Sequence, residues 1–208
     1  MKTSAERGRE VRRKLLDAAA ELIPERGWAA VSTRILAERA GVAPGLVHYH
    51  FPSLQALLGE AALDVIGRVV AETGPLLEQA ESLDDGLAAM FGALDAFTGS
   101  DPVSVLFTET YLAAARDEDL RREFTALVTR FRRELASWLR ARGQEEPEET
   151  ASVLAAALDG MMLHRPLNSE LTSSAVTTVL RRLLTHPGTH LGTRPGTRPG
   201  GDDRRAGR

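Results

Sequence analysis

Ser32-Thr33-Arg34-Ile35-Leu36-Ala37-Glu38-Arg39-Ala40-Gly41-Val42-Ala43-Pro44-Gly45-Leu46-Val47-His48-Tyr49-His50-Phe51 reads as two short helices joined at one glycine. Ser32 or Thr33 offers an N-cap oxygen to the first orphan amides, and the periodic stretch ends at Ala40. Gly41 follows, where a left-handed turn is cheap only without a side chain, and Pro44 has a φ suited to the first turn of a new helix. Ile35, Leu36, Ala40, Val42 and Val47 can fill the angle between the two axes, while Arg34, His48, Tyr49 and His50 offer donors outside it. Helix, tight turn, helix is the helix-turn-helix unit, whose second helix can enter a major groove. Pattern alone leaves DNA reading and an ordinary helical hairpin both open.

Outward from this unit, Glu10 to Arg26 carries apolar residues at helical spacing (Val11, Leu15, Leu16, Ala18, Ala19, Leu22, Ile23) and is stopped by Gly27. Pro24 predicts a kink or a tightened last turn. Met1 to Arg9 is polar and reads as a frayed terminus, with Lys2, Arg7 and Arg9 as candidates for an arm along the DNA backbone. On the other side, Ser53 caps a fourth helix from Leu54 to Thr73, stopped by Gly74-Pro75.

The 208 residues suffice for one or two domains with a substantial core. There is no cysteine, which excludes disulfides and thiolate chemistry. The five histidines form no metal-binding spacing, so no metal and no cofactor are expected. No catalytic cluster, P-loop or dinucleotide-binding glycine pattern is present, so an enzyme is not expected. No apolar run approaches a membrane span and the start lacks an apolar leader, which predicts a cytoplasmic, nucleoid-associated protein. The net charge of −3 hides a division. Residues 1–55 carry 9 Lys/Arg against 6 Asp/Glu, residues 56–185 carry 12 against 21, and residues 186–208 carry 5 against 2. Phosphate attraction acts within a Debye length of about 8 Å, so a basic head on an acidic body suits a DNA binder.

The rest of the chain is helical in pattern. Helices are predicted over Ser82 to Thr98, from Asp101-Pro102 to Ala115, over Glu118 to Arg142, over Pro147 to His164 and over Thr172 to Leu184. The arginines of the 118–142 helix read as a solvated, ion-paired face. From His186 the chain is low in complexity, with a repeated Gly-Thr-Arg-Pro, and reads as a disordered tail.

The run from Arg13 to Leu58 resembles the DNA-binding domain of the tetracycline-repressor (TetR-like) family. The residues that carry the resemblance are Leu16-Asp17-Ala18-Ala19, Leu22, Glu25-Arg26-Gly27-Trp28, Ser32-Thr33-Arg34-Ile35, Ala40-Gly41-Val42, Gly45, His48-Tyr49-His50-Phe51 and Leu57-Leu58. The resemblance implies an all-α protein: an N-terminal three-helix bundle with helix-turn-helix, joined through a long fourth helix to a larger helical ligand-binding and dimerisation domain. The implied division is a head over residues 9–69 with its motif at 32–51, a body over 70–185 and a tail over 186–208.

It also implies the function of a ligand-responsive transcriptional regulator, usually a repressor, acting as a homodimer on a pseudo-palindromic operator of double-stranded DNA and released by a small-molecule effector. Ser32, Thr33, Arg34, Pro44, Gly45, Leu46, His48, Tyr49 and His50 match DNA-contacting positions. Arg34 is the candidate for base readout, because its fork can bond guanine O6 and N7 together. Leu54 departs from the family, which often has a phosphate-binding lysine there. The last two helices are implied to pair with their copies. Phe91, Phe107, Tyr111, Phe124, Phe131, Met161 and His164 are the candidate ligand-pocket residues. The alternative is a helical small-molecule-binding protein or enzyme that keeps the head as scaffold.

Overall fold

The computed structural model describes residues 3–168 and 170–185, and the low-complexity tail and Lys2 lie outside the described residues. Ten α-helices follow one another with no strand among the described residues, and none of these helices is long and apolar enough to cross a membrane.

The first helix, α1, spans Ser4–Arg26, six residues earlier than the periodicity predicts. The cause is a capping box: the Thr3 hydroxyl accepts from the Glu6 amide at 3.2 Å, and the Thr3 amide donates to the Glu6 carboxylate at 2.6 Å. Arg7 and Arg9 therefore stand on a helix rather than on an extended arm. The α pattern runs through Pro24 to Arg26, and the tight turn falls beyond Gly27, at Trp28–Ala30.

Next come α2 (Thr33–Ala40) and α3 (Gly45–His50). Ser32 is the N-cap of α2, and Gly41 ends it at φ +65°, the left-handed turn expected of a glycine. The fourth helix, α4, spans Leu54–Ala71 with the Ser53 hydroxyl accepting from the Ala56 amide at 3.0 Å. A break at Glu72 leads into α5 (Thr73–Gln79). Gly74-Pro75 thus opens a short helix instead of only ending a long one. The missing N–H of a proline in a first turn has no intrahelical partner to lose.

The body continues with α6 (Leu83–Ala93), α7 (Pro102–Ala114), α8 (Glu118–Ala141), α9 (Pro147–His164) and α10 (Ser173–Thr185). Ser82, Asp101 and Asp117 cap α6, α7 and α8. The predicted helix to Thr98 stops early, at Ala93, and closes in a single tight turn over Leu94–Ala96. Arg165 explains this. Its guanidinium donates hydrogen bonds to the carbonyls of Leu94 and Phe97, oxygens that a continuing helix would have used. The arginines of α8 pair with acids on its surface, Arg122 with Asp119 at 2.8 Å and Arg121 with Glu118 at 3.6 Å, as a solvated face would.

Two apolar cores result. One fills α1 to α4 and reaches into the body through Leu106, Ala114, Leu120 and Phe124. The other lies among α5, α6, the second half of α8, α9 and α10. Residues of both, Ile66 and Phe124 of the first and Leu94 and Leu158 of the second, meet around one apolar hollow.

Candidate nucleic-acid interface and ligand cavity

The reading head is held from behind by pairs that take its structural cations out of play. Arg39 on α2 binds both oxygens of Glu25 (2.6 and 3.0 Å) and one of Glu21 (3.1 Å), clamping α2 to α1. The hydrogen bond from Arg39 holds the Glu25 carboxyl below its usual range, and Arg39 is raised in turn. Arg12 pairs with Glu60 at 2.5 Å and lies over the Phe51 ring at 4.7 Å, tying the end of α3 and α4 to α1. Leu36, Ala37, Val47 and Phe51 are buried beneath.

What remains outward is the set that the sequence singles out. Arg34 and His48 are exposed, and among the described residues Arg34 has no carboxylate partner. Pro44 and Gly45 are exposed at the start of α3, Leu46 and Thr33 are half-buried, and Tyr49 is 80% exposed. His50 is half-buried, and its ring sits edge-on to Tyr49 at 5.0 Å and close to Gly8 of α1. Ser32 spends its hydroxyl on the cap of α2. Leu54 packs on the first core, so the position where the family often has a lysine offers no cation.

In the body, α4, α7, α8 and α9 border an apolar cavity open to solvent on one side, in two adjoining parts of about 100 Å³ and 300 Å³ that share Phe107, Asp159 and Met162. Ile66, Val69 and Val70 of α4 form one wall, and Phe124, Leu127, Val128 and Phe131 of α8 another. Tyr111 and Leu112 of α7 rim the wider part. The aromatic rings meet edge to face: Phe107 to Phe124 at 5.8 Å and 76°, Tyr111 to Phe124 at 5.5 Å and 89°.

Four of the seven pocket candidates, Phe107, Tyr111, Phe124 and Phe131, thus line this space. The other three do not. Phe91 and Met161 are buried in the second core, and His164 is exposed at the end of α9. Phe91 and Met161 point away because α6 and α9 each bury a second face in that core, whereas His164 stands in solvent at the last turn of α9. Sequence reasoning missed Asp159. It is the single charged residue lining the cavity, and burial pushes its carboxyl up to about 6. The signal was available: one acid interrupts the otherwise apolar run Leu154-Ala155-Ala156-Ala157-Leu158-Asp159-Gly160-Met161-Met162.

Comparisons with known proteins fit this geometry. Residues 15–61 match the family model of bacterial regulatory proteins, tetR family, and residues 78–186 match that of the tetracyclin repressor-like C-terminal domain. The HTH-type transcriptional regulator BetI of Rhizobium meliloti is 30% identical over 162 residues, covering 76% of this chain and 80% of its own. The solved transcriptional regulator SCO7518 of Streptomyces coelicolor superposes with a TM-score of 0.70 at 30% identity, over 85% of this chain and 99% of its own. A structure of the multidrug binding protein EbrR with imidazole gives 0.66 at 31% identity, over 86% of this chain and 97% of its own.

Proposed function

The chain belongs to the tetracycline-repressor family of ligand-responsive, DNA-binding transcriptional regulators, and from that premise we propose that it is a homodimeric repressor of a pseudo-palindromic operator, released by a small molecule. The observation that carries this reading is the outward Arg34, His48 and Tyr49 on two short helices whose other faces are locked into the core. In the proposal Arg34 reads a base edge. Ser32, Thr33, Pro44, Gly45, Leu46, Tyr49 and His50 hold the frame on phosphates and groove walls, with His48 beside Arg34 in the groove.

Pairing is supported by apolar residues left in water along the last two helices and their connection. Val153, Leu167, Val179 and Leu183 are each more than half exposed, and Val179 and Leu183 stand one turn apart on α10. A second copy would cover them and set two reading heads roughly 34 to 36 Å apart, one duplex turn.

Control by a small molecule is supported by the cavity and by α4, which belongs to both regions. Its first half packs in the core of the head, and Ile66, Val69 and Val70 in its second half line the cavity. The relative EbrR is a multidrug binding protein, which fits a small-molecule effector here as well. An effector would shift the dimer off DNA by no more than its differential affinity for the bound and free conformers.

The test is selection of random duplexes by the purified protein at stated salt, repeated with Arg34→Ala. An inverted repeat recovered by the native protein and lost by the variant is expected. Recovery of no common sequence would overturn the reading.

A further inference from the structure

We propose that the cavity selects an organic cation, with the Asp159 carboxylate as its counter-ion and Phe107, Phe124 and Phe131 as the faces on which its apolar body lies; this deepens the regulator reading and rests on it. Three observations converge. Asp159 lines both parts of the cavity, and it is the one ionised group in either wall. Among the described residues no cation or hydrogen-bond donor is paired with it, and burial alone accounts for its altered titration. The surroundings are apolar and aromatic, with ring faces that attract positive charge.

A half-buried carboxylate with no partner is costly, and the protein itself supplies nothing to offset the cost. A ligand that brings a positive charge removes that penalty on entering. A neutral ligand leaves it in place, and an anionic one worsens it. Arg121 and Arg132 line an adjoining groove that shares Tyr111, Phe124 and Val128 with the walls of this cavity, but neither lines the two parts that Asp159 does. The joined volume of about 300 and 100 Å³ and the greasy walls fit one compact organic molecule, not a hydrated inorganic ion.

The experiment compares two isosteric probes on the full chain without DNA: phenyltrimethylammonium, which is charged, and tert-butylbenzene, which has carbon in place of nitrogen. Affinities are taken from calorimetric titration or from ligand-induced shifts in melting temperature. The native protein is expected to prefer the cation by about tenfold or more. Asp159→Asn, which keeps the shape, should lower affinity for the cation by about tenfold and leave that for tert-butylbenzene within about twofold. Asp159→Glu should retain the preference. Equal loss for both probes, unchanged cation affinity in Asp159→Asn, or no cation binding at millimolar concentration would each overturn the proposal. DNA retention, measured separately on the same preparations, keeps the two readings apart. A protein that holds an operator but ignores probe charge sinks only this inference, whereas one that discriminates charge but holds no operator sinks the regulator reading.

Discussion

The backbone amide of Trp28 donates to the Glu109 carboxylate at 2.7 Å, a hydrogen bond between residues 81 apart in sequence that fastens the head to α7 of the body. Trp28 is also held by its indole N–H, which donates to the Gln55 side chain at 2.7 Å on α4. Phe107 and Tyr111, two residues before and two after Glu109, line the cavity. The turn that closes α1 is thus tied to the helix that carries two of the cavity's aromatic rings.

Removing that carboxylate should loosen the joint. Glu109→Ala leaves a part-buried amide without its acceptor and is expected to cost about 1–3 kcal/mol. Glu109→Gln, which keeps an acceptor oxygen, should recover most of it. Thermal unfolding of both variants, with hydrogen exchange at the Trp28 amide, tests this. Exchange no faster in Glu109→Ala than in the native chain would show that the bond does not hold the head.

Asp159 sets a pH dependence whose sign is opposite to that of an ordinary paired carboxylate. Its folded value is pushed up to about 6 from an ordinary 3.8, so the folded protein binds this proton more tightly than the unfolded chain. Below 3.8 both states hold the proton and burial carries no ionisation cost. Between 3.8 and 6 the unfolded state ionises first and stability falls as pH rises; above 6 the full cost remains. With allowance for water at the open side of the cavity, that cost is about 1–2 kcal/mol. Asp159→Asn should match the native protein near pH 4 and melt roughly 2–8 °C higher at pH 8. An equal difference at both pH values would contradict the assignment.

Gly86 makes room for the Trp138 ring. A Cβ at this position of α6 would stand 2.2 Å from the Trp138 ring of α8. That ring cannot easily swing away, because its N–H donates to the Leu77 carbonyl at 2.7 Å and the Arg142 guanidinium lies over it at 4.2 Å. Gly86→Ala is expected to destabilise by about 1–3 kcal/mol despite the better helix propensity of alanine. Trp138 fluorescence should shift with it. A variant as stable as the native chain would mean that the Trp138 ring can move aside freely.

The head offers two substitutions with different signatures. Arg34→Ala should cost about 1–3 kcal/mol of operator affinity and relax the sequence requirement at one position. Leu54→Lys should instead strengthen binding to every duplex and steepen the logarithmic salt dependence by about one unit. Affinities for operator and scrambled duplexes across a salt series separate these outcomes. An unchanged slope in Leu54→Lys would place that position out of reach of phosphate.

The order of the helices, their caps and the reading unit were legible in the amino-acid sequence because they depend on groups a few residues apart. Ser32, Ser53, Ser82, Asp101 and Asp117 each satisfy amides two or three positions on, and Gly41 turns where no side chain obstructs it. Even the early start of α1 was written locally, in Thr3 and Glu6. Resemblance then supplied the family, and the family matches agree. The early end of α6 could not be read this way, since the carbonyls of Leu94 and Phe97 just beyond it accept from Arg165, 71 and 68 residues away. Nor could the sorting of the aromatic residues, since Phe91 and Phe107 are alike in sequence. Only the packing of α4, α7, α8 and α9 decides that one is core and the other faces a cavity. The same packing turned Asp159 from one acid among many into the single charge of an apolar chamber. Periodicity records which residues share a helix face, whereas burial and dielectric surroundings depend on which distant face comes to meet it.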